Sequence, residues 1–298
     1  MDVSTMTNLF YDFKKNGDRA YLESMVKIHE YGFDVMDFCM CPMQRNETEL
    51  NGENWKFLVD RIGNEAAKLG IRFGQSHIPY AKNKPGLAPT DEGCEQNEWF
   101  IETTKRCIEI SAMLGVKWAV AHPVTDFSDP TDIGRNIAYN HEIYDKYVEQ
   151  ASALGVGIAL ENMTDLTQNS MYRRFGVTAY ELCELVDSFG SPYVGACWDF
   201  GHANRMAFKP QSQQLQKLGS RLKATHVDDN IGQTDLHTIP FFGTIDWADS
   251  VRALKDIGYQ GDFNFELGVF RRIPEALKPT ATRLVYETGR YLVDTYGS

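Results

Sequence analysis

The sequence predicts a single-domain (β/α)8 barrel that spans residues 1–298. Apolar runs with strand character alternate with longer amphipathic segments eight times along the chain. Several amphipathic segments end in a glycine just before the next apolar run, as at Gly70, Gly115 and Gly155. Glycine adopts the left-handed conformation of a helix end at little cost, so these positions mark helix-to-strand turns. No linker, low-complexity tract or shift in composition divides the chain.

The predicted elements follow one another in strict order. Helical spacing of apolar residues is clear in the segments 21–28, 55–69 and 100–114. Strict alternation implies parallel strands joined by right-handed crossovers, and eight such units favour closure into a barrel. An open doubly wound sheet is the alternative, but no GxGxxG motif follows the first strand. The predicted strands cover residues 2–6, 33–39, 71–77, 116–122, 156–162, 194–200, 222–228 and 262–267.

The composition narrows the classes of partner. The net charge is −11, whereas proteins that track nucleic-acid phosphates usually carry a basic face, so we expect no nucleic-acid partner. No window holds the roughly 18 uncharged apolar residues of a membrane span, and Met1–Thr5 does not resemble a signal peptide. We therefore expect a cytoplasmic protein that does not bind membranes. The six cysteines form no CxxC pair and are expected to be reduced, mostly buried thiols.

Polar residues end six consecutive predicted strands. In a barrel of this kind, the functional residues lie at the C-terminal ends of the strands. Each residue alone could have an ordinary structural role, such as that of a hydrogen-bonded histidine or a capping aspartate. The strand ends read Gln75-Ser76-His77, Ala121-His122-Pro123, Leu160-Glu161-Asn162, Trp198-Asp199-Phe200-Gly201-His202, Thr225-His226-Val227-Asp228-Asp229 and Phe265-Glu266-Leu267.

Together these residues predict a bound divalent metal ion. Burying so many ionisable groups in one mouth would cost several kcal/mol per uncompensated charge, and a cation offsets that cost. Three carboxylates and one imidazole form a hard, oxygen-rich set that suits Mn²⁺, Mg²⁺, Co²⁺ or Fe²⁺, with Zn²⁺ open for a catalytic site. Mn²⁺ is the expected ion. The predicted ligands are Glu161, Asp199, His226 and Glu266.

Six motifs follow one another in the second half of the chain: LEN (160–162), WDFGHAN (198–204), THVDDN (225–230), DLH (235–237), GTIDW (243–247) and FNFEL (263–267). They resemble the xylose-isomerase-like TIM-barrel superfamily, which contains sugar isomerases and epimerases and the endonuclease IV type of nuclease. The likeness covers essentially the whole chain. It implies that the four predicted ligands bind one metal and that Glu161 and Glu266 are the acid/base pair. Thr167 and Gly232 depart from the ketose 3-epimerases, which have glutamate and arginine there.

The nuclease branch of this superfamily binds three metals, and the chain matches all of its ligand positions. The arginine-rich flank of its D-x-H element is replaced here by residues 233–242, which contain no arginine. Together with the net charge of −11, this flank disfavours a nuclease, although further metal ions stay open. The matching residues are His77, His122, Glu161, Asp199, His202, His226, Asp235, His237 and Glu266.

The expected function is a metal-dependent isomerase or epimerase that moves a proton on a keto-sugar through an enediolate. Glu161 and Glu266 would transfer the proton from opposite faces. The alternatives are a metal-dependent lyase or dehydratase on a keto-sugar, keto-inositol or 3-keto-glycoside, and the nuclease. No glycine-rich phosphate cradle is visible, which favours a non-phosphorylated sugar, and a homo-oligomer is possible for barrels of this kind. The expected substrate-binding residues are His77, His122, His202, Asp235, His237 and Trp198.

Overall fold

The computed structural model describes residues 1–10, 19–45, 48–165 and 173–297. Eight parallel strands form one sheet in the order β7-β6-β5-β4-β3-β2-β1-β8. Strands β1 to β7 pair with their neighbours in sequence, and β8 pairs with β1, which leaves a seam between β7 and β8. The seam between β7 and β8 is closed by a parallel bridge between Val227 and Phe265. The strands are β1 (Val3–Met6), β2 (Val35–Cys39), β3 (Arg72–His77), β4 (Trp118–Ala121), β5 (Gly157–Glu161), β6 (Val194–Asp199), β7 (Leu222–His226) and β8 (Phe263–Phe265).

Helices connect successive strands and cover the outside of the barrel. Several end at a glycine with positive φ, as at Gly70 (73°), Gly115 (70°) and Gly155 (74°), which confirms the predicted helix-to-strand turns. The short helix α6 lies between β6 and α7 and continues directly from the strand. The helices are α1 (Arg19–His29), α2 (Trp55–Leu69), α3 (Glu98–Met113), α4 (Ile133–Ala153), α5 (Ala179–Ser188), α6 (Phe200–Arg205), α7 (Ser212–Leu218), α8 (Trp247–Asp256) and α9 (Lys278–Tyr296).

The predicted (β/α)8 barrel is confirmed, with strands that are one to three residues shorter than predicted. The difference lies at the strand ends, where flanking residues, apolar as well as polar, lie outside the sheet ladder, and it is within the one or two residues by which strand bounds vary at each end. Among the described residues, no helix is both long enough and apolar enough to cross a membrane, and the six cysteines are free thiols.

Two apolar layers position the functional side chains. Small residues, Val120, Ala159, Cys197 and Ala224, pack together as a separate cluster inside the barrel. The larger core lies between the strands and the helices. Because successive side chains of a strand point to opposite faces, the residues two positions further along β4 to β7 also point inward, at the C-terminal mouth.

Candidate metal centre and active site

The predicted site residues meet at the C-terminal mouth of the barrel, in a cavity of about 980 Å³. Glu161 and Glu266 line this cavity, whereas Asp199 and His226 are fully buried. Glu161, Asp199 and His226 are the last residues of β5, β6 and β7, and Glu266 directly follows β8. The strand ends of one half of the barrel therefore supply all four predicted metal ligands.

The four predicted ligands offer atoms that all lie within 4.8 Å of one another. Nδ1 of His226 lies 3.1 Å from Oε1 of Glu161 and 2.8 Å from Oε2 of Glu266. Asp199 is held in place because Oδ1 accepts a hydrogen bond from the backbone N–H of His202 and its own N–H donates to Asn162. This arrangement aims one imidazole nitrogen and three carboxylates at a common point.

The charges of this cluster fit a divalent cation. Oδ2 of Asp199 is buried and accepts no hydrogen bond from the described residues. Burial and the nearby Glu161 raise the pKa of Asp199 to about 6, although His202 opposes the shift. Buried carboxylates with unused oxygens need a compensating charge, and a hard oxygen-rich set suits manganese, magnesium or zinc. The donor set therefore fits the predicted ion.

Glu161 lies at the centre of a ring of imidazoles. Its carboxylate oxygens are 3.1 Å from Nε2 of His122, 3.4 Å from Nδ1 of His202 and 3.5 Å from Nε2 of His77. Burial opposes ionisation of this carboxyl, but the imidazoles of His226 and His122 outweigh it and hold its pKa well below the usual value. Glu161 is therefore an ionised carboxylate at neutral pH, ready to bind a cation or accept a proton.

Glu266 has a different environment from Glu161. Its side chain is 22% exposed, against 1% for Glu161, so it is open to a molecule in the cavity. Burial again opposes ionisation, and His226 outweighs it and lowers the pKa of Glu266 to about 2. Both glutamates therefore contact the imidazole of His226: Glu161 from the end of β5, where it is buried, and Glu266 from just after β8, where it is accessible.

His202, Asp235 and His237 form a second cluster beside the first. Oδ2 of Asp235 lies 3.4 Å from Nε2 of His202 and 3.1 Å from Nε2 of His237. Burial opposes protonation of His202, but Asp199 and Asp235 raise its pKa well above the usual value. All three residues line the cavity and can donate or accept hydrogen bonds with the hydroxyl groups of a bound molecule.

His77 and His122 form the opposite wall of the cavity. Nδ1 of His77 lies 2.8 Å from the carbonyl oxygen of Ile78, which fixes it as the donor and leaves Nε2 facing Glu161. The ring of Tyr80 stacks on His122 with centroids 4.9 Å apart. The structure therefore brings five of the six predicted substrate-binding residues to one cavity.

The prediction that Trp198 contacts the substrate is not supported by its position. Its side chain is fully buried, and its Nε1 donates to Gln211 at 2.9 Å. The physical reason is the alternation along β6: Cys197 and Asp199 point into the barrel, so Trp198 points toward the helices. Phe242 is the aromatic residue of the β7–α8 connection that lines the cavity instead.

Two positions were predicted to depart from the sugar epimerases. Thr167 lies outside the described residues. Gly232 adopts a positive φ of 79° and its N–H donates to Asn230, so it forms a turn. A turn glycine supplies no side chain to the cavity.

Asp228 is a buried carboxylate to which the sequence assigned no role. Both of its oxygens lack hydrogen-bond partners among the described residues, and it joins Asp199 and His237 in a group with ligand atoms within 4.8 Å. Gly201 makes room for it, because a Cβ there would lie 2.0 Å from Oδ1 of Asp228. Its neighbour Asp229 instead anchors the loop that follows β7, accepting from Nε1 of Trp247.

Asp37 on β2 is a second site residue that the sequence analysis missed. It is fully buried inside the barrel, and its Oδ2 accepts from Gln75 at 2.8 Å and from Asn264 at 3.2 Å. The same oxygen lies 3.8 Å from Nε2 of His226, on the side of the ring opposite Glu161 and Glu266. This distance is longer than a hydrogen bond, and Nε2 of His226 has no hydrogen-bond partner among the described residues, so Asp37 is a carboxylate that faces the buried side of the ring. The only signal in the sequence is one aspartate inside the apolar run 35–39.

We expect Asp37→Asn to weaken the binding of manganese by roughly 10-fold, the low end of the range for carboxylates behind a ligating histidine, because Asp37 makes no direct hydrogen bond to the ring. The substitution removes the carboxylate behind the His226 ring and leaves the four predicted ligands in place. Titration of the metal-free protein with manganese, followed by calorimetry, measures this change. Asp262→Asn is the matched control, because Asp262 is a carboxylate of the same barrel that pairs with Arg72. Equal affinities of Asp37→Asn and the wild type would contradict the assignment.

The chain resembles known proteins over most of its length. The family described as xylose isomerase-like TIM barrel matches residues 25–284. An uncharacterized protein of Methanocaldococcus jannaschii is 26% identical over 246 residues, which cover 82% of this chain and 78% of that protein. An uncharacterized protein of Sinorhizobium fredii is 26% identical over 181 residues, which cover 60% of this chain and 56% of that protein.

Solved structures share the fold. A D-tagatose 3-epimerase-like protein has a TM-score of 0.73 at 22% identity, with 100% of both chains covered. A 3-keto-D-glucoside 4-epimerase from E. coli has a TM-score of 0.70 at 18% identity, with 99% of both chains covered. The IOLI protein, whose structure holds a zinc atom, has a TM-score of 0.74 at 18% identity, again with 99% of both covered. On the family match, the chain belongs to the xylose isomerase-like TIM barrel family.

Proposed function

We propose that this protein is a metal-dependent sugar isomerase or epimerase that acts on a keto-sugar. The observation that carries the proposal is the pair Glu161 and Glu266, which approach one imidazole from different strands and line the same cavity. Two structural neighbours are named as epimerases of keto-sugars or keto-glycosides, which supports the same class of substrate. The ligand set supports a divalent ion, of which manganese is our first choice and zinc the second.

The two glutamates would transfer the proton. One carboxylate removes the proton from the carbon next to the substrate carbonyl, and the other returns a proton from the opposite face. Both carboxyls have lowered pKa values, so either can accept a proton at neutral pH. In an isomerisation the glutamate that accepts the proton returns it to the neighbouring carbon. In an epimerisation the opposite glutamate first takes up a proton from solvent and then donates it, and the proton that was removed passes to solvent. A divalent ion held by Glu161, Asp199, His226 and Glu266 would supply the positive charge that stabilises the developing negative oxygen.

The histidines would hold the sugar in place. His202 and His237 are joined through Asp235 on one wall of the cavity, and His77 and His122 lie near Glu161 on the other. Their ring N–H groups can donate to sugar hydroxyls, which positions the reacting carbon between the two glutamates.

A panel of keto-sugars in deuterated water tests the proposal. We expect the manganese-loaded protein to place solvent deuterium on the carbon next to the carbonyl and to form an epimer or isomer of at least one sugar. Mass spectrometry and proton NMR measure both. Loss of a hydroxyl or glycosidic group would identify a lyase instead, and cleavage of DNA at abasic sites would identify a nuclease. Either result, with no deuterium on any sugar carbon, would overturn the proposal.

A further inference from the structure

Arg174 places a guanidinium in the wall of the cavity. It lines the cavity from the connection between β5 and α5, and its Nε is buried without a hydrogen-bond partner among the described residues. The neighbouring Arg173 is engaged by contrast, since it pairs with Glu181 and donates to the carbonyl oxygen of Pro130. A buried guanidinium nitrogen without a partner is costly, so its place in a cavity indicates a ligand rather than a structural role.

Arg205 brings a second guanidinium to the same wall. It ends α6, six residues after the predicted ligand Asp199. Its Nη1 donates to Oγ1 of Thr164 at 3.0 Å and to the carbonyl oxygen of Asp165 at 2.9 Å. Among the described residues these are the only partners of the guanidinium, so the rest of its fork is available to the cavity, which it lines.

The two arginines repel each other, and the surrounding acids only partly offset this. Both arginines contact Asp165: its Oδ1 accepts a hydrogen bond from the backbone N–H of Arg174 at 2.9 Å, and its carbonyl oxygen accepts one from Nη1 of Arg205 at 2.9 Å. Burial lowers the pKa of Arg174, Asp165 raises it and Arg205 lowers it further. Lys82, Arg271 and Arg272 add positive charge to the same cavity. The cavity is also lined by four acidic residues, so its five basic residues exceed them by one, in a chain with a net charge of −11. The acidic residues are Glu161, Asp165, Asp235 and Glu266.

We propose that Arg174 and Arg205 form an anion subsite that binds a carboxylate or phosphate group of the substrate. Two planar guanidinium forks match the oxygens of either group, with paired hydrogen bonds. The inference rests on the proposed function and deepens it: the keto-sugar is a sugar acid or a sugar phosphate. This departs from the expectation from the sequence of a non-phosphorylated sugar, because these arginines come from two separate segments and form no sequence motif.

Binding of three matched ligands to the manganese-loaded protein tests the subsite. The ligands are D-fructose, D-fructose 6-phosphate and D-fructuronate, which carry no charge, a phosphate and a carboxylate on the same chain length. By calorimetry we expect one of the two anions to bind at least about ten times more tightly than D-fructose, and this preference distinguishes phosphate from carboxylate. Arg174→Gln and Arg205→Gln should each remove most of this tenfold preference for the anion and leave the affinity for D-fructose unchanged.

Three controls separate the subsite from a general charge effect and from misfolding. Arg61→Gln removes a positive charge from the outer face of α2 and should keep the preference. Arg174→Lys should keep part of the preference for the anion that Arg174→Gln loses, because lysine has the positive charge but not the planar guanidinium. Melting temperature and manganese content show that each variant is folded and loaded.

Two results would overturn the subsite. If both Arg174→Gln and Arg205→Gln keep the preference for the anionic ligand over D-fructose, the anion binds the metal alone. Equal binding of all three ligands by the wild type would mean that the cavity does not recognise an anion. Failure of the proposed function is a separate result, namely the absence of deuterium on every sugar in the panel.

Discussion

Replacing Glu161 or Glu266 by glutamine is expected to lower kcat on the keto-sugar by about 100- to 10,000-fold, the usual range for loss of a general acid or base. Glutamine keeps the shape of glutamate and one oxygen for the metal, but it cannot accept a proton. The measurement is kcat and manganese content on the same preparations, so that lost chemistry is separated from lost metal. Glu181→Gln is a suitable control, because this buried glutamate caps α5 and pairs with Arg173 away from the cavity.

Deuterium exchange separates the roles of the two glutamates. If the reaction is an epimerisation, each glutamate faces one epimer. Glu161→Gln should then exchange deuterium into only one of the two epimers, and Glu266→Gln only into the other, with little net conversion in both cases. Full kcat in both variants would show that the two-carboxylate mechanism is wrong.

Removal of the metal is expected to produce the second large effect, a loss of stability. Five acidic side chains converge at the mouth: Glu161, Asp199, Asp228, Asp235 and Glu266. An ion at a concentration about 1,000 times its Kd stabilises the folded state by about 4 kcal/mol. For a chain of this size this corresponds to a fall in Tm of roughly 5–10 °C after chelation. Thermal unfolding with manganese and with a chelator measures the difference.

The difference in Tm should increase from pH 6 to pH 8. Burial opposes protonation of His226, but the carboxylates of Glu266 and Glu161 raise its pKa well above the usual value in the metal-free protein. A raised pKa stabilises the metal-free fold below the unfolded pKa, and this contribution is lost as the pH rises toward the folded pKa. The ion requires neutral imidazole, so metal binding strengthens over the same range. In His226→Gln, chelation should leave the Tm unchanged. A wild-type Tm that is insensitive to chelation at every pH would argue against the metal centre.

Local sequence patterns were sufficient to predict the barrel fold and the residues at its C-terminal mouth. Apolar periodicity and the helix-ending glycines predicted eight strand–helix units because both depend on residues close in sequence. Glu161, Asp199 and His226 were found for the same reason, since a polar residue at the end of an apolar strand is a local signal. Parallel strands bring their C-terminal ends to one mouth, so the position of these residues follows from the order of the elements.

A polar or aromatic residue near a strand end faces the cavity only if it lies on the inner face of that strand. Trp198 and Asp199 are neighbours in one motif, yet only Asp199 points into the barrel, and Trp198 is buried outside it with its Nε1 on Gln211. Reading the strand with a period of two from Cys197 would have placed Trp198 correctly.

The sequence by its own pattern therefore established the fold and predicted the metal-ligand quartet, whereas tertiary contacts decided the surroundings of that quartet. Asp37 reaches His226 from a distant part of the chain, through a barrel interior that only closure creates. Arg174 and Arg205 become a pair only because two segments face one cavity. Burial and the distance between charges set how these groups ionise and what they bind, and both quantities arise from packing between segments that are far apart in sequence.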